Sequence, residues 1–374
     1  MSASTTFDRA RTRYLDFYIV VVTLALTGFG ILAIYSANGA GALTLGSLPV
    51  RQLAYFLVGI GLMVVFSLLD YRIFRGVAPI IYGGAVGLLG AVLVIGTTIG
   101  GARRWFDFKL ILFQPSEVAK IAVIIGLAAF ISSRGAAMAR WYNFLISLAI
   151  VMVPTLLIYK QPDLGTALVF IAIWVAMMGI SRTRLIYFAG VLVAAVPAAI
   201  LLWKHLPDYQ KTRLDAFLDP TSAKNFQNEG YNIVQAQRSI AGGGLAGNGI
   251  HGGIQSDYDF LKVRTTDFIF AHAAAMFGFL GCLALIALFM MLIWRYSNVV
   301  MTAGDAFGRL IAMGITAQLL FQVIVNIGMN ARLMPVTGVP LPFISYGGTQ
   351  LWTLLVGQGL MQSILMRHQK FVIG

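Results

Sequence analysis

The 374-residue chain is short of charge: 11% of it is Asp, Glu, Lys or Arg, against roughly a quarter in soluble domains. With 59% hydrophobic residues beside it, that shortage excludes an ordinary water-soluble domain. Cysteine is nearly absent, and the single Cys282, inside an apolar run, rules out a disulfide framework and argues against a thiolate metal site. The four histidines, His205, His251, His272 and His368, lack zinc-ligand spacing. Period-two alternation is missing, which excludes barrel strands. No internal repeat is evident, which weakens an inverted-repeat transporter architecture.

What the chain has instead is apolar runs of about 20 residues, each able to cross a ~30 Å hydrocarbon core as a helix. Helices are expected near 15–35, 53–69, 77–99, 116–132, 142–159, 165–180, 185–203, 267–294, 307–327 and 341–366. The fold class is all-α: a polytopic integral membrane protein of about ten transmembrane helices, forming one domain over 1–374. Alternate loops carry Arg9, Arg11 and Arg13; Arg72 and Arg75; Arg134 and Arg140; Arg182 and Arg184; Arg295 and Arg309; Arg367 and Lys370. Basic loops stay inside, so both termini are expected in the cytoplasm. The start, "MSASTTFDRARTRY", has no small-residue cleavage site after it and reads as a cytoplasmic tail leading into the first anchor.

The outer side is nearly as basic, chiefly in "GARRWFDFKLILFQPSE" (101–117) and in 204–265, a long extracytoplasmic loop. Nucleic acid is excluded by location. An anionic ligand at the outer surface or contact with anionic membrane lipids would each favour such charge. Within the long loop "YNIVQAQRSI" suggests an interfacial helix, and "AGGGLAGNGIHGG" reads as a flexible bend rather than an anion nest.

Ionisable groups at membrane depth are costly and so are candidates for function. Asp267 in "RTTDFIFAHAAAMFGFLG" opens the eighth span; it reads either as a helix cap or as a general base. Glu117 and Lys120, three apart after "QPS", share a helix face as a structural pair or as a phosphate contact tuned by the carboxylate. Asp163 in "KQPDLGTA" suits a turn or cap. Pro335, Pro340 and Pro342 with Gly338, Gly347 and Gly348 forbid a regular helix, and irregular backbone at this depth must be buried or line a wet cavity.

Taken together, "GARRWFDF", "FQPSEVAKIAV", "QPDLGTAL", "YQKTRLDAFLDP", "GYNIVQAQRSIAGGGLAGNG", "TDFIFA" with "FGFLG", and "NIGMN" with "LMPVTGVPLPFISYGGT" resemble the SEDS family (shape, elongation, division and sporulation). The "PVTGVPLPF" form is that of its elongation members rather than its division members. The resemblance implies a ten-helix peptidoglycan glycosyltransferase of the bacterial cytoplasmic (inner) membrane. Such an enzyme polymerises lipid II, a disaccharide-pentapeptide on undecaprenyl diphosphate, beside a class B penicillin-binding protein within the elongation machinery. It implies Asp267 as catalytic base, and Arg103, Arg104, Glu117, Lys120, Asp163, Arg213, Gln235 and Ser345 as substrate-binding candidates. The chain departs from the family pattern at Val263 and Thr265, where Glu and His are usual, and at Ala275 and Met276, where an acidic pair is usual. His272 stands where the family has an apolar residue and reads as a neutral, hydrogen-bonded histidine.

Joining two lipid-linked sugars needs a base for the attacking hydroxyl and positive charge for the departing diphosphate. Mg²⁺ or Mn²⁺ could share the diphosphate with Asp267, but no dense carboxylate cluster demands a metal. Two other readings stay open: a lipid II flippase, and a scaffold that activates the transpeptidase.

Overall fold

The computed structural model describes residues 15–39, 43–44, 46–99, 101–109, 111–204, 208–222, 229–251, 261 and 263–367. Its helices are α1 (Phe17–Ala37), α2 (Leu48–Leu68), α3 (Ile73–Ile95), α4 (Pro115–Arg134), α5 (Trp141–Tyr159), α6 (Leu164–Gly179), α7 (Leu185–Lys204), α8 (Asp208–Leu218), α9 (Glu229–Gly242), α10 (Ile269–Thr302), α11 (Ala306–Asn330) and α12 (Gly348–Arg367). Among the described residues seven helices, α1 to α5, α10 and α11, are long and apolar enough to cross a membrane. The chain is a multi-pass membrane protein.

Helix α12 fails that hydropathy test for a physical reason. It carries Gln350, Gln358 and Gln362 and is buried along nearly all its length, so its amides meet protein rather than lipid. Helix α1 begins at Asp16, whose Oδ1 accepts the backbone N–H groups of Tyr18 (2.9 Å) and Ile19 (3.4 Å).

One end of the bundle gathers the turns at 69–72 and 303–305 with both termini of the described chain. The other gathers 96–114, 160–163, 263–268 and 331–347. The sequence expectations need four corrections. Helix α3 was expected to reach 99 but stops at Ile95, and residues 97–113 fold into a three-stranded antiparallel sheet, β1 (Thr97–Ile99), β2 (Ala102–Asp107) and β3 (Leu112–Phe113). The β-branched run Thr97-Thr98-Ile99 favours the pleat. The last helix, expected from 341, begins at Gly348, because Ser345 and Tyr346 spend their hydrogen bonds on Thr266 and Thr265.

Helix α10 runs to Thr302, past the expected 294. Arg295 can stay helical there because its guanidinium stacks over Tyr18 (4.2 Å) and Trp294 (5.0 Å) and reaches Asp16 at 3.9 Å.

The glycine-rich run is not a flexible bend over its described part. Helix α10 breaks at Gly278 (φ 64°), and residues 243–248 dock into the break. Phe279 and Leu280 donate to the carbonyls of Gly244 (2.9 Å) and Leu245 (3.1 Å), and Asn248 N–H donates to Ala275 O at 2.9 Å. Added Cβ atoms at Gly243 and Gly247 would stand about 2 Å from backbone oxygens, so only glycine permits the approach. The remaining glycines, Gly252 and Gly253, lie outside the described residues. Helix α9 rests on the same part of α10. A small second core of Ala216, Ile233, Ala236, Phe268, Met329 and Val336 ties α8 and α9 to the ends of α10 and α11.

Candidate active site

The organising element is the irregular segment 331–347. Its three prolines lack N–H donors, so its remaining polar groups are satisfied from outside. Leu341 N–H donates to Ser345 Oγ (2.8 Å), and that hydroxyl donates to Thr266 O at 2.7 Å. Tyr346 N–H reaches Thr265 O (2.9 Å), and Gln52 brackets the turn through Ser345 O and Gly347 N–H, both at 3.2 Å. Ser345 is therefore a buried tie between this segment and the turn that carries Asp267.

Asp267 is half-buried in the turn 263–268, one residue before the N-cap of α10, Phe268, which makes no side-chain cap bond. The N-cap position itself falls on Phe268, and the turn is held from the neighbouring helix. Asn330, at the end of α11, accepts Ala271 N–H through Oδ1 (3.1 Å), which serves one of the open amides in the first turn. Its Nδ2 donates to Asp267 O at 3.0 Å, and Asn326 Nδ2 donates to the same carbonyl at 3.1 Å and to Val339 O at 2.8 Å. Both asparagines are fully buried. Both lie in "NIGMN", and two amides four residues apart on an apolar helix are the sequence signal that points to them.

Gly338, at φ +75°, shows where the carboxylate points. A Cβ placed on it would lie 3.8 Å from Asp267 Oδ2 and 3.9 Å from Arg213 Nη1, so a carboxylate and a guanidinium border the same bare backbone turn. Arg213 is on α8, more than fifty residues earlier in the chain. The neighbouring residue faces a second group. A Cβ on Gly165 would be only 2.5 Å from Thr337 O, which presses the first turn of α6 against the segment.

That turn is capped by Asp163, whose Oδ1 accepts Thr166 N–H at 3.1 Å. Its Oδ2 meets Arg104 Nη1 at 3.1 Å and accepts Gln114 Nε2 at 3.4 Å. Arg104 also lies 4.4 Å over the Trp105 ring. Gln114 is the N-cap residue of α4, and one turn inside that helix Lys120 Nζ sits 2.8 Å from both oxygens of Glu117. The pair is only 1–4% exposed, so removal of either partner leaves a charge in a medium that cannot solvate it.

Arg103 has another task. Its Nη1 donates to Leu93 O and Val94 O (3.3 Å each), placing a cation on the C-terminal carbonyls of α3. Gln235 is buried in α9, and its Oε1 has no hydrogen-bond partner among the described residues. His272 is buried and 3.1 Å from Ser36 Oγ, in agreement with a hydrogen-bonded histidine. No group of three or more His, Cys, Asp or Glu among the described residues could hold a metal. Asp163 is occupied by Arg104, Gln114 and Thr166 N–H, which leaves it a poor ligand for a divalent ion.

The sequence patterns and this architecture agree with the comparisons to known proteins. The family model FTSW_RODA_SPOVE, described as a cell cycle protein, matches residues 17–370, and the chain belongs to that family. Among individual proteins it is 40% identical to the peptidoglycan glycosyltransferase MrdB of Escherichia coli K12 over 363 residues, covering 96% of this chain and 95% of that one. A solved structure described as coordinating polymerization and crosslinking in a peptidoglycan synthase complex superposes with a TM-score of 0.81 at 29% identity, over 95% of this chain and 99% of that one. The rod shape determining protein RodA of Thermus thermophilus superposes at 0.70 with 28% identity, over 94% and 96% of the two chains.

Proposed function

We propose that this protein is a peptidoglycan glycosyltransferase that polymerises lipid II at the outer face of the bacterial inner membrane. The observation that carries the reading is the meeting at Gly338: a half-buried carboxylate and a guanidinium, from distant parts of the chain, border one glycine. The relatives' names support the activity. In this reading the chain crosses the membrane ten times, with both termini in the cytoplasm, and the end bearing Asp267 faces outward. A class B penicillin-binding protein is the partner that crosslinks the product.

An acceptor sugar hydroxyl gives its proton to Asp267 as its oxygen bonds the anomeric carbon of the donor. The bond from that carbon to the diphosphate oxygen breaks, and Arg213 and Arg104 offset the charge released. The anomeric centre inverts in one displacement, so one carboxylate suffices. Arg103, taken up by α3 carbonyls, contributes field rather than contact. Glu117 and Lys120 form the floor under the Asp163 group, and Ser345 and Gln235 support the site from within the fold. The chain lacks the family's other acidic residues near Asp267, so Asp267 acts without a carboxylate neighbour at 263, 275 or 276.

The test is purified protein in liposomes supplied with lipid II, assayed with and without the transpeptidase. Glycan polymer from the wild type and almost none from Asp267→Asn, at an unchanged unfolding temperature, supports the reading. Near-normal polymer from the variant removes the base assignment. Lipid II translocation without polymer would make the chain a flippase, and activation of the transpeptidase alone would make it a scaffold.

A further inference from the structure

A groove of about 400 Å³ opens between α3, α4 and α5, in the half of the bundle away from Asp267. Two prolines shape it. Pro154 in α5 has no N–H for the carbonyl four residues back, that of Ile150, and the Tyr82 hydroxyl of α3 takes that carbonyl at 2.9 Å. Pro79 in α3 likewise offers nothing to the carbonyl of Arg75. Tyr82, Pro79, Ala129 and Ile150 form apolar walls, while Arg75, in the first turn of α3, and Ser133, in the last turn of α4, mark the polar end.

Of the exposed cations of that end, Arg75 is the one that lines the groove. Arg72 lies over the Tyr71 ring, Arg134 over Phe130, and Arg367 binds Asp70 and backbone carbonyls. Arg75 is exposed and has no hydrogen bond or ion pair on its guanidinium among the described residues. A volume of this size lies within the ~300–1,000 Å³ of small-molecule sites. In a helix bundle surrounded by lipid, an apolar trough with one unengaged guanidinium at its mouth matches one chemistry: a hydrocarbon chain under a phosphate.

We propose that this groove binds an anionic phospholipid of the leaflet opposite the Asp267 end, one acyl chain along Tyr82 and Ala129 and the phosphate on Arg75. The site is separate from the glycosyl-transfer reading and stands or falls without it. The test uses the full chain in vesicles containing a phosphatidylglycerol or a phosphatidylcholine with a diazirine on the acyl chain. Adducts are mapped by mass spectrometry. Phosphatidylglycerol should label α3 to α5 around the groove about fivefold more than phosphatidylcholine, the preference one basic residue gives near a membrane surface. Arg75→Gln, on an exposed side chain, should abolish that preference. Ala129→Trp should reduce labelling by both probes. Equal labelling by the two lipids, labelling spread evenly over all lipid-facing helices, or a preference unchanged in Arg75→Gln overturns the proposal. So does complete displacement of the probe by a stoichiometric amount of undecaprenyl phosphate, which would assign the groove to a polyprenyl chain.

Discussion

The two ends of the bundle treat charge differently. At the end holding Asp16 and Arg367, several charged groups are taken up by neighbouring elements, while Arg75 stays exposed. Arg367 binds Asp70 at 3.4 Å while its Nη atoms donate to Ser67 O (3.2 Å) and Leu68 O (2.6 Å); the Tyr71 hydroxyl donates to Asp305; Gln362 exchanges two 3.0 Å bonds with the Asp16 backbone. Connections there, such as 69–72, are a few residues long. At the other end the connections are long, and Asp267, Arg213 and Arg104 are held at the border of an irregular segment by groups from distant helices. Short turns with self-satisfied charge give a bundle its rigidity; long segments that display charge at partial burial give up stability for function.

The contrast predicts a separation of effects. Asp267→Asn should lower polymer formation by about 10²–10⁴-fold with little change in thermal stability, whereas Asp305→Asn should lower stability and leave activity per folded molecule intact. Activity assays beside thermal unfolding read both; equal activity losses would break the comparison. Lys120→Ala should cost about 3–5 kcal/mol by stranding the Glu117 carboxylate, and Lys120→Met with Glu117→Leu should recover most of it. Denaturation of single and double variants measures this, and recovered stability without activity would give the pair a role in substrate use.

Gly338→Ala should cost about 1–2 kcal/mol for a Cβ at positive φ, with an activity loss larger than that stability loss explains, because the methyl would stand 3.8 Å from Asp267 Oδ2 and 3.9 Å from Arg213 Nη1. Asn330→Ala should destabilise by about 1–3 kcal/mol and reduce activity, since Ala271 N–H loses its partner and Asp267 O keeps only Asn326. Hydrogen exchange at the start of α10 would show the loosening directly. The smallest effect concerns Tyr71, in the turn before α3. Burial first, and the bond to Asp305 second, push its hydroxyl up to about 12 from the ordinary 10. A folded value above the unfolded one stabilises fully below about pH 10 and is lost as pH rises toward 12. Tyr71→Phe should flatten that alkaline limb of the stability profile.

Much of this was legible in the chain. The apolar runs marked the positions of the helices that cross the bundle, and the prolines and glycines of 331–347 marked the segment around which the site is built. Asp267, Glu117, Lys120 and Asp163 stood out because charge at membrane depth is expensive, while Arg104 and Arg213 entered through the family resemblance. The small sheet at 97–113 was hidden because its strands are too short and too irregular to show a period. The docking of 243–248 into α10 was hidden because a glycine run looks the same whether it is loose or packed against backbone. Asn326 and Asn330 were hidden in plain view, as amides whose partners lie on other helices.

Composition and hydropathy by themselves settled that this chain lives in a membrane as helices, since apolar length and scarce charge act locally and leave no other way to satisfy the backbone in lipid. Which carboxylate and which guanidinium border Gly338, and which guanidinium is spent on a helix end, were decided only by tertiary structure. Those outcomes depend on distances between residues far apart in the chain, and no local pattern encodes them.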